Sequence, residues 1–189
     1  MKIVQFILIF IFLSDTFLFS QINNPLKEYF GFDTVSENRC IAYGNFVQKT
    51  GIIREAEPQF VSIINIETNH ISSIIVKPLN KTGKETVFAF YVRPGTYEIL
   101  NYIWTKKILY VVKTYSQTIQ KNLVSEDTSS ANSYWYKFTI EPNTLNYLGT
   151  WHFEESRVYF VEDKIKLDKT MKKKFGLLNY SRALLAIPN

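Results

Sequence analysis

A thiol and two imidazoles are the groups of this chain with the chemistry to act as nucleophile, base or metal ligand near neutral pH: Cys40, His70 and His152. His152 stands in Trp151-His152-Phe153-Glu154-Glu155, beside two carboxylates. On a strand, His152 and Glu154 share a face while Glu155 points the other way, so at most two ligands converge where a catalytic zinc needs three. A lone cysteine excludes an internal disulfide and a cysteine-based zinc site. As a nucleophile it would need one of the two histidines as base, in a local sequence unlike that of a thiol protease, so Cys40 is expected as a small buried residue near the start of a strand. Paired acids for glycoside hydrolysis would have to come from Glu98, Glu141, Glu154 and Glu162, which are scattered through strands and turns. No Gly-x-Ser-x-Gly elbow, P-loop, His-Glu-x-x-His or dinucleotide fingerprint occurs. The chain is therefore expected to carry no catalytic residue, no metal and no cofactor.

Aromatic side chains are the other resource, at 16% of 189 residues. Tyr102, Trp104, Tyr110, Tyr115, Trp135, Tyr147 and Trp151 would make a sugar- or peptide-binding platform if several faced solvent together. Most are expected to fill the space between two sheets. Trp104 and Trp135 are the candidate ligand-binding residues, because strict alternation puts each on the face opposite a stronger apolar set.

The elements that must position these groups are short β-like runs separated by turn chemistry: Cys40–Lys49, Gln59–Glu67, Ile71–Lys77, Thr86–Val92, Thr96–Trp104, Lys107–Thr114, Tyr134–Glu141, Leu145–Phe153 and Arg157–Val161. Pro94-Gly95 suits the centre of a type II turn. Tyr134, Tyr136, Phe138 and Ile140 alternate with polar residues, predicting one wet face, whereas Val87–Val92 is apolar on both faces and predicts a central strand. The polar run Val124–Ser133 predicts an exposed loop. Asp163 to Phe175 predicts a helix, capped by Asp163, with Ile165, Leu167, Met171 and Phe175 near helical spacing and Gly176 as a stop. Tyr180 to Ile187 is either a last strand or a strap. Together these give an all-β chain, an antiparallel β-sandwich with one short C-terminal helix.

The net charge of +5 comes largely from Lys164, Lys166, Lys169, Lys172, Lys173 and Lys174, set against Asp163 and Asp168. That cluster reads as a solvated helix surface and not as the spread basic groove of a nucleic-acid binder. Residues 1–20 pair Lys2 with an apolar run from Ile3 to Leu13 and a short stretch to Ser20, the pattern of a secretory signal peptide cleaved near Ser20-Gln21. Asp15 interrupts the run well short of a membrane span. The expectation is a leader over 1–20 and a single domain over 21–189, exported to the periplasm, the outer membrane or the medium, with no integral membrane segment in the processed chain.

Tyr43–Val47, Phe60–Ile66 and Val87–Ile99, the last ending in Arg93-Pro94-Gly95-Thr96-Tyr97, resemble the carboxypeptidase-regulatory-like, transthyretin-like β-sandwich modules over roughly Tyr43 to Trp104. The chain is also similar to exported proteins of Bacteroidetes type. The resemblance implies a prealbumin-like, non-catalytic module that supports, extends or docks other envelope proteins. A protein partner in the cell envelope is accordingly expected, and a carbohydrate- or peptide-binding accessory module is the alternative.

Overall fold

The structure is a computed structural model that describes residues 24–32, 35, 39–48, 58–79, 83, 85–108, 111–120, 135–153 and 158–189. The expected leader over 1–20 and the expected polar loop over Val124–Ser133 lie outside the described residues.

Aromatic and β-branched residues dominate the strands, as a pleated, half-buried surface favours. The strands are β1 (Cys40–Val47), β2 (Gln59–Asn65), β3 (His70–Lys77), β4 (Glu85–Val92), β5 (Gly95–Ile108), β6 (Val111–Thr118), β7 (Lys137–Ile140), β8 (Leu145–Phe153), β9 (Val158–Val161) and β10 (Leu184–Leu185), with helix α1 (Lys164–Lys174) between the last two. The first sheet runs β3-β2-β5-β6, with β7 also on β5, and the second runs β10-β8-β1-β4, with β9 also on β8. The fold is thus strand-dominated, in two sheets, with one short helix. The expected purely antiparallel arrangement does not hold, because β8 runs parallel to both β1 and β10. The expected runs Thr96–Trp104 and Lys107–Thr114 are not divided where their bounds place the break. β5 continues to Ile108, and Lys107 pairs with Val112 of β6.

In the second sheet, β1, β4 and β8 bury side chains on both faces. On β1, Cys40, Ala42 and Phe46 enter the core shared with the first sheet, and the alternate residues Ile41 and Tyr43 enter a second core under α1. β4 divides in the same way, with Phe88, Phe90 and Val92 against the first sheet and Ala89 and Tyr91 towards the helix. β8 divides only with the help of an extra residue. Tyr43 pairs with Tyr147 and Asn45 with Thr150, so Leu148 and Gly149 together oppose Gly44, a β-bulge with Gly149 at φ 82°. Before it, Leu145 and Tyr147 face the helix. Leu148 within it, and Trp151 and Phe153 after it, face the first sheet. A Cβ added to Gly44 would lie 2.5 Å from the Phe88 ring and 2.8 Å from the Gly149 carbonyl, so only glycine fits opposite the bulge.

The expectation that β4 is central is corrected: among the named strands it pairs with β1 alone. Its outer edge is instead covered by residues 24–29. Leu26 N–H donates to Ser73 of β3 (2.8 Å), while Tyr29 N–H donates to Ala89 (2.9 Å) and Lys27 carbonyl accepts from Tyr91 (2.9 Å). This strap crosses from the edge of one sheet to the edge of the other. The C-terminal segment does the same on the opposite side. It follows β8 through β10, and Asn189 then exchanges two 3.0 Å backbone bonds with Lys137 of β7.

An isolated helix as short as α1 is marginal in water, so its stability comes from docking. Leu167, Met171 and the following Phe175 are buried against the second sheet. Ile165 is not, because it lies off the i, i+4 row of those three. Asp163 precedes the helix but makes no side-chain cap. Its carboxylate accepts instead from Tyr147 (2.8 Å) and Thr150 (2.7 Å) of β8. Asp168 accepts from Tyr43 of β1 at 2.6 Å.

Two measurements test this arrangement. Gly44→Ala should cost about 2–3 kcal/mol of stability in denaturant titration, as overpacking a closed core does. Burial, reinforced by the Asp168 and Asp163 carboxylates, holds the phenols of Tyr43 and Tyr147 well above the ordinary value, and burial does the same for Tyr102 and Tyr180. The native state therefore keeps protons that the unfolded chain releases. The stability so contributed is whole below about pH 10 and is lost as pH climbs through the folded values. Phenolate absorbance from these residues should rise together with loss of the β-sheet circular dichroism signal above about pH 10.

Candidate functional site

Among the described residues, an open groove of about 1210 Å³ lies at the edge where the strap crosses between the sheets. Its walls are the strap residues Asn24–Lys27, the turn after β2, the first residues of β3 and the end of β4 running into β5. Two turns are fixed against each other to shape it. Asn65 is buried, and its side-chain oxygen accepts from the Glu67 N–H (3.1 Å), the Thr68 N–H (2.9 Å) and the Thr68 hydroxyl (3.0 Å). The facing turn is held by the Tyr97 hydroxyl donating to the Arg93 carbonyl (2.9 Å) and by the Thr96 N–H donating to the Glu67 carboxylate (3.2 Å). Gly95 between them has φ 136°, a left-handed value more extended than the expected type II turn, and the Asn65 amide fills the space a Cβ would need.

Among the described residues that line the groove are Lys27, Arg39, Arg93 and His70, and no carboxylate. The Lys27 ammonium and the Arg39 guanidinium lie 5.6 and 5.1 Å from the centroid of the Tyr91 ring, which gives both cations a π-surface to rest on. Tyr91 and Tyr97 themselves are buried. The groove therefore offers positive charge and hydrogen-bonding groups on a rigid frame. Such a lining suits an anionic group, with the Glu67 carboxylate of the adjoining turn already engaged by the Thr96 N–H.

Cys40 is the first residue of β1, fully buried, with its thiol on the Glu141 carbonyl at 3.2 Å. The two histidines stand on different sheets. His70 opens β3 at the groove, and His152 on β8 stacks on Tyr159 with 4.5 Å between centroids. Glu154 and Glu155 lie outside the described residues. Glu98 pairs with Lys137 at 3.1 Å across β5 and β7.

Of the aromatic candidates, Tyr102, Tyr147 and Trp151 are buried, and Tyr110 lies outside the described residues. Trp104 does not face away from the apolar set. A bulge at Leu100 of β5 shifts the inward register from Tyr97 and Ile99 to Tyr102, and Trp104 follows onto the same face. Trp104 is half-buried and stacks on Tyr102 (5.0 Å) and Tyr115 (5.6 Å), of which Tyr115 is 37% exposed. Trp135 is half-buried just before β7, next to Tyr136, whose ring packs edge-on against Phe160.

The groove cations were not legible as a group, since Lys27, Arg39, His70 and Arg93 are far apart in sequence and only the strap brings them together. A buried polar chain at the other end of β3 was equally hidden. The Lys77 ammonium and the Gln59 amide both donate to the Gln48 side-chain oxygen (2.7 and 3.1 Å), and Tyr102 donates to Gln59 (2.7 Å). It holds an otherwise costly buried cation by hydrogen bonds.

No family model matches the chain, and no curated protein sequence matches it. Among solved structures, a leucine-rich repeat protein from Bacteroides thetaiotaomicron VPI-5482 superposes with a TM-score of 0.38 at 12% identity, over 73% of this chain and 16% of that one.

Asn65→Ala should destabilise the protein by about 1 kcal/mol by removing the acceptor of three hydrogen bonds from an exposed turn. Asn65→Asp, which keeps the acceptor, should cost less, and thermal melts of the pair check the difference.

Proposed function

We propose that the chain is an exported, non-catalytic β-sandwich of the prealbumin or transthyretin-like type, with a structural or interaction role in a bacterial cell envelope. Export rests on the charged, apolar and short polar regions of residues 1–20. The sandwich type rests on one core shared by both sheets and on the order of the strands up to the Pro94-Gly95 turn. The observation that carries the interaction role is the groove: an open, polar, cation-lined trough whose walls are fixed by backbone and side-chain bonds. Such a site holds a partner's acidic group without needing to move, and a rigid frame makes the binding specific. The occupant that suits it is an extended acidic segment of an envelope protein.

A second reading is favoured by one observation. Tyr115, exposed and stacked on Trp104, offers an aromatic edge midway along the β5–β6 hairpin, where a sugar ring or a peptide side chain could rest.

A photo-crosslinking amino acid at position 70, introduced in the cells that make the protein, should join it to one envelope protein. The joined band should vanish when Lys27 and Arg93 are changed to Glu, while a probe at Glu162 should give no such band. Recovery of the protein from the cytoplasm with residues 1–20 attached would contradict export. Crosslinking that survives both charge reversals would contradict the groove's role.

A further inference from the structure

The gap between the two sheets is tied on both sides of the molecule, and more fully on one than on the other. Residues 24–29 join β3 to β4 by four backbone bonds. On the opposite side the C-terminal segment joins β8 to β7, and its described bonds to β7 are both at Lys137. Where that segment crosses, β7, β8 and β10 border an open slot of about 420 Å³.

Two strand edges face this slot. Lys137 turns its N–H and C=O to Asn189, whereas Tyr136 turns its carbonyl to Ile99 of β5. Strand alternation therefore directs the N–H and C=O of Thr139 outward, on the same edge as those of Lys137. Ala186 gives its N–H to the Tyr147 carbonyl of β8 (2.9 Å), so the N–H of Leu185, one residue earlier, points away from β8. Thr139 and Leu185 both line the slot, and among the described residues no backbone group bonds to either N–H.

Asn146 of β8 marks the slot as a site. It lines the slot and is fully buried. Its side-chain nitrogen donates to the Thr144 carbonyl (3.3 Å) and the Thr144 hydroxyl (2.9 Å). A carbonyl only accepts, so this contact fixes which end of the amide is nitrogen, and the oxygen at the other end has no donor in the protein. A buried acceptor without a donor is uncommon, and this one borders a space many times the roughly 30 Å³ of a single water.

The remaining lining selects the occupant. Lys137 and Glu141 are the residues of the slot with charged side chains; they are opposite in sign, and Lys137 is paired with Glu98 at 3.1 Å. Leu184 and Leu185 are 42% and 57% exposed. An ion would gain no net counter-charge here. Open strand edges, a fixed amide oxygen and exposed leucines are instead complementary to an uncharged peptide backbone that carries an apolar side chain.

We propose that this slot binds an extended, uncharged segment of a partner protein. The segment adds to the outer edge of β7 at Thr139, gives a backbone N–H to the Asn146 oxygen and lays an apolar side chain against Leu184 and Leu185. It closes this side of the sandwich as residues 24–29 close the other. This does not depend on what the groove holds.

The probes are pentapeptides blocked at both ends, Thr-Val-X-Val-Thr with X as Val, Leu, Phe, Asp or Lys, titrated into the ¹⁵N-labelled protein. The Val, Leu and Phe peptides should saturably shift the Thr139 and Leu185 amide signals and the Asn146 side-chain signals at up to about 5 mM. The Asp and Lys peptides should bind about tenfold more weakly, since each buries a charge. The Leu peptide N-methylated at its three central residues, which lacks their donors, should also lose about tenfold. Thr139→Pro removes an outward N–H from an edge position that tolerates proline, and should weaken binding about fivefold. Asn146→Ala should do the same. Circular dichroism and melting temperatures establish that both variants fold; if Asn146→Ala does not, Thr139→Pro and the N-methylated peptide still decide. No saturable shift with any peptide would assign the Asn146 oxygen to bound water and overturn the proposal. Equal binding of the N-methylated and parent peptides would reduce the contact to apolar stickiness and overturn it. Shifts centred on His70 and Arg93 would place the peptide in the groove and overturn it. Thr139 and Leu185 signals that move with protein concentration, without peptide, would assign the slot to a second copy and overturn it as well.

Discussion

Strand β8 has to serve two cores, and the rest of the molecule is arranged around how it does so. A regular strand presents alternate residues to one face throughout its length. Leu145, Tyr147, Trp151 and Phe153 are all odd-numbered, so without an inserted residue all four would crowd onto one side. The bulge at Leu148-Gly149 gives the first pair to the helix and the second pair to the opposite sheet. Trp151 then fills the centre of the shared core, ring to ring with Phe88 and Phe160 and with its indole N–H on the Leu148 carbonyl. Tyr147 is freed to hold Asp163 and so to seat α1. Gly44 is the counterpart on β1, small enough for the bulge to approach.

The existence of most strands was readable because Cys40–Val47, Gln59–Asn65 and their successors carry the branched and aromatic residues a pleated surface accepts. The helix was readable from the Leu167, Met171 and Phe175 spacing. What period-two reasoning misses is the inserted residue. The bulges at Leu100 and at Leu148-Gly149 each flip every later side chain to the other face, which is why Tyr102 and Trp104 join the inward face of Tyr97 and Ile99, and Trp151 joins the core. Parallel pairing of β8 with β1 leaves no local signature, since the two segments are far apart in sequence. The strap was hidden for a different reason. Asn24–Tyr29 has no strand pattern, and its value lies in two edges that only the folded chain presents. The groove depends on that strap and was hidden along with it.

The positive charge of the chain, read as a solvated helix face, resolves into two separate surfaces. Lys27, Arg39 and Arg93 gather at the groove, and the lysines of α1 look outward on another side. Residues 24–32 contribute to both, with Lys27 lining the groove and Phe30 and Phe32 standing beside α1. Tyr29 links them physically, since its ring meets Phe175 under the helix and Tyr91 beneath the groove cations. The same tyrosine contacts would hold the two surfaces in a constant relation.

The most direct test is hydrogen–deuterium exchange followed by mass spectrometry, resolved to peptides covering the strap, β1, β8 and α1. If the second sheet is sealed on both faces, the amides of Leu26, Tyr29 and Tyr91 should exchange in step with those of β1 and β8, and α1 should open with them as one cooperative unit. Strap and helix amides exchanging orders of magnitude faster than the strands would mean that neither segment completes the fold, and would contradict the account.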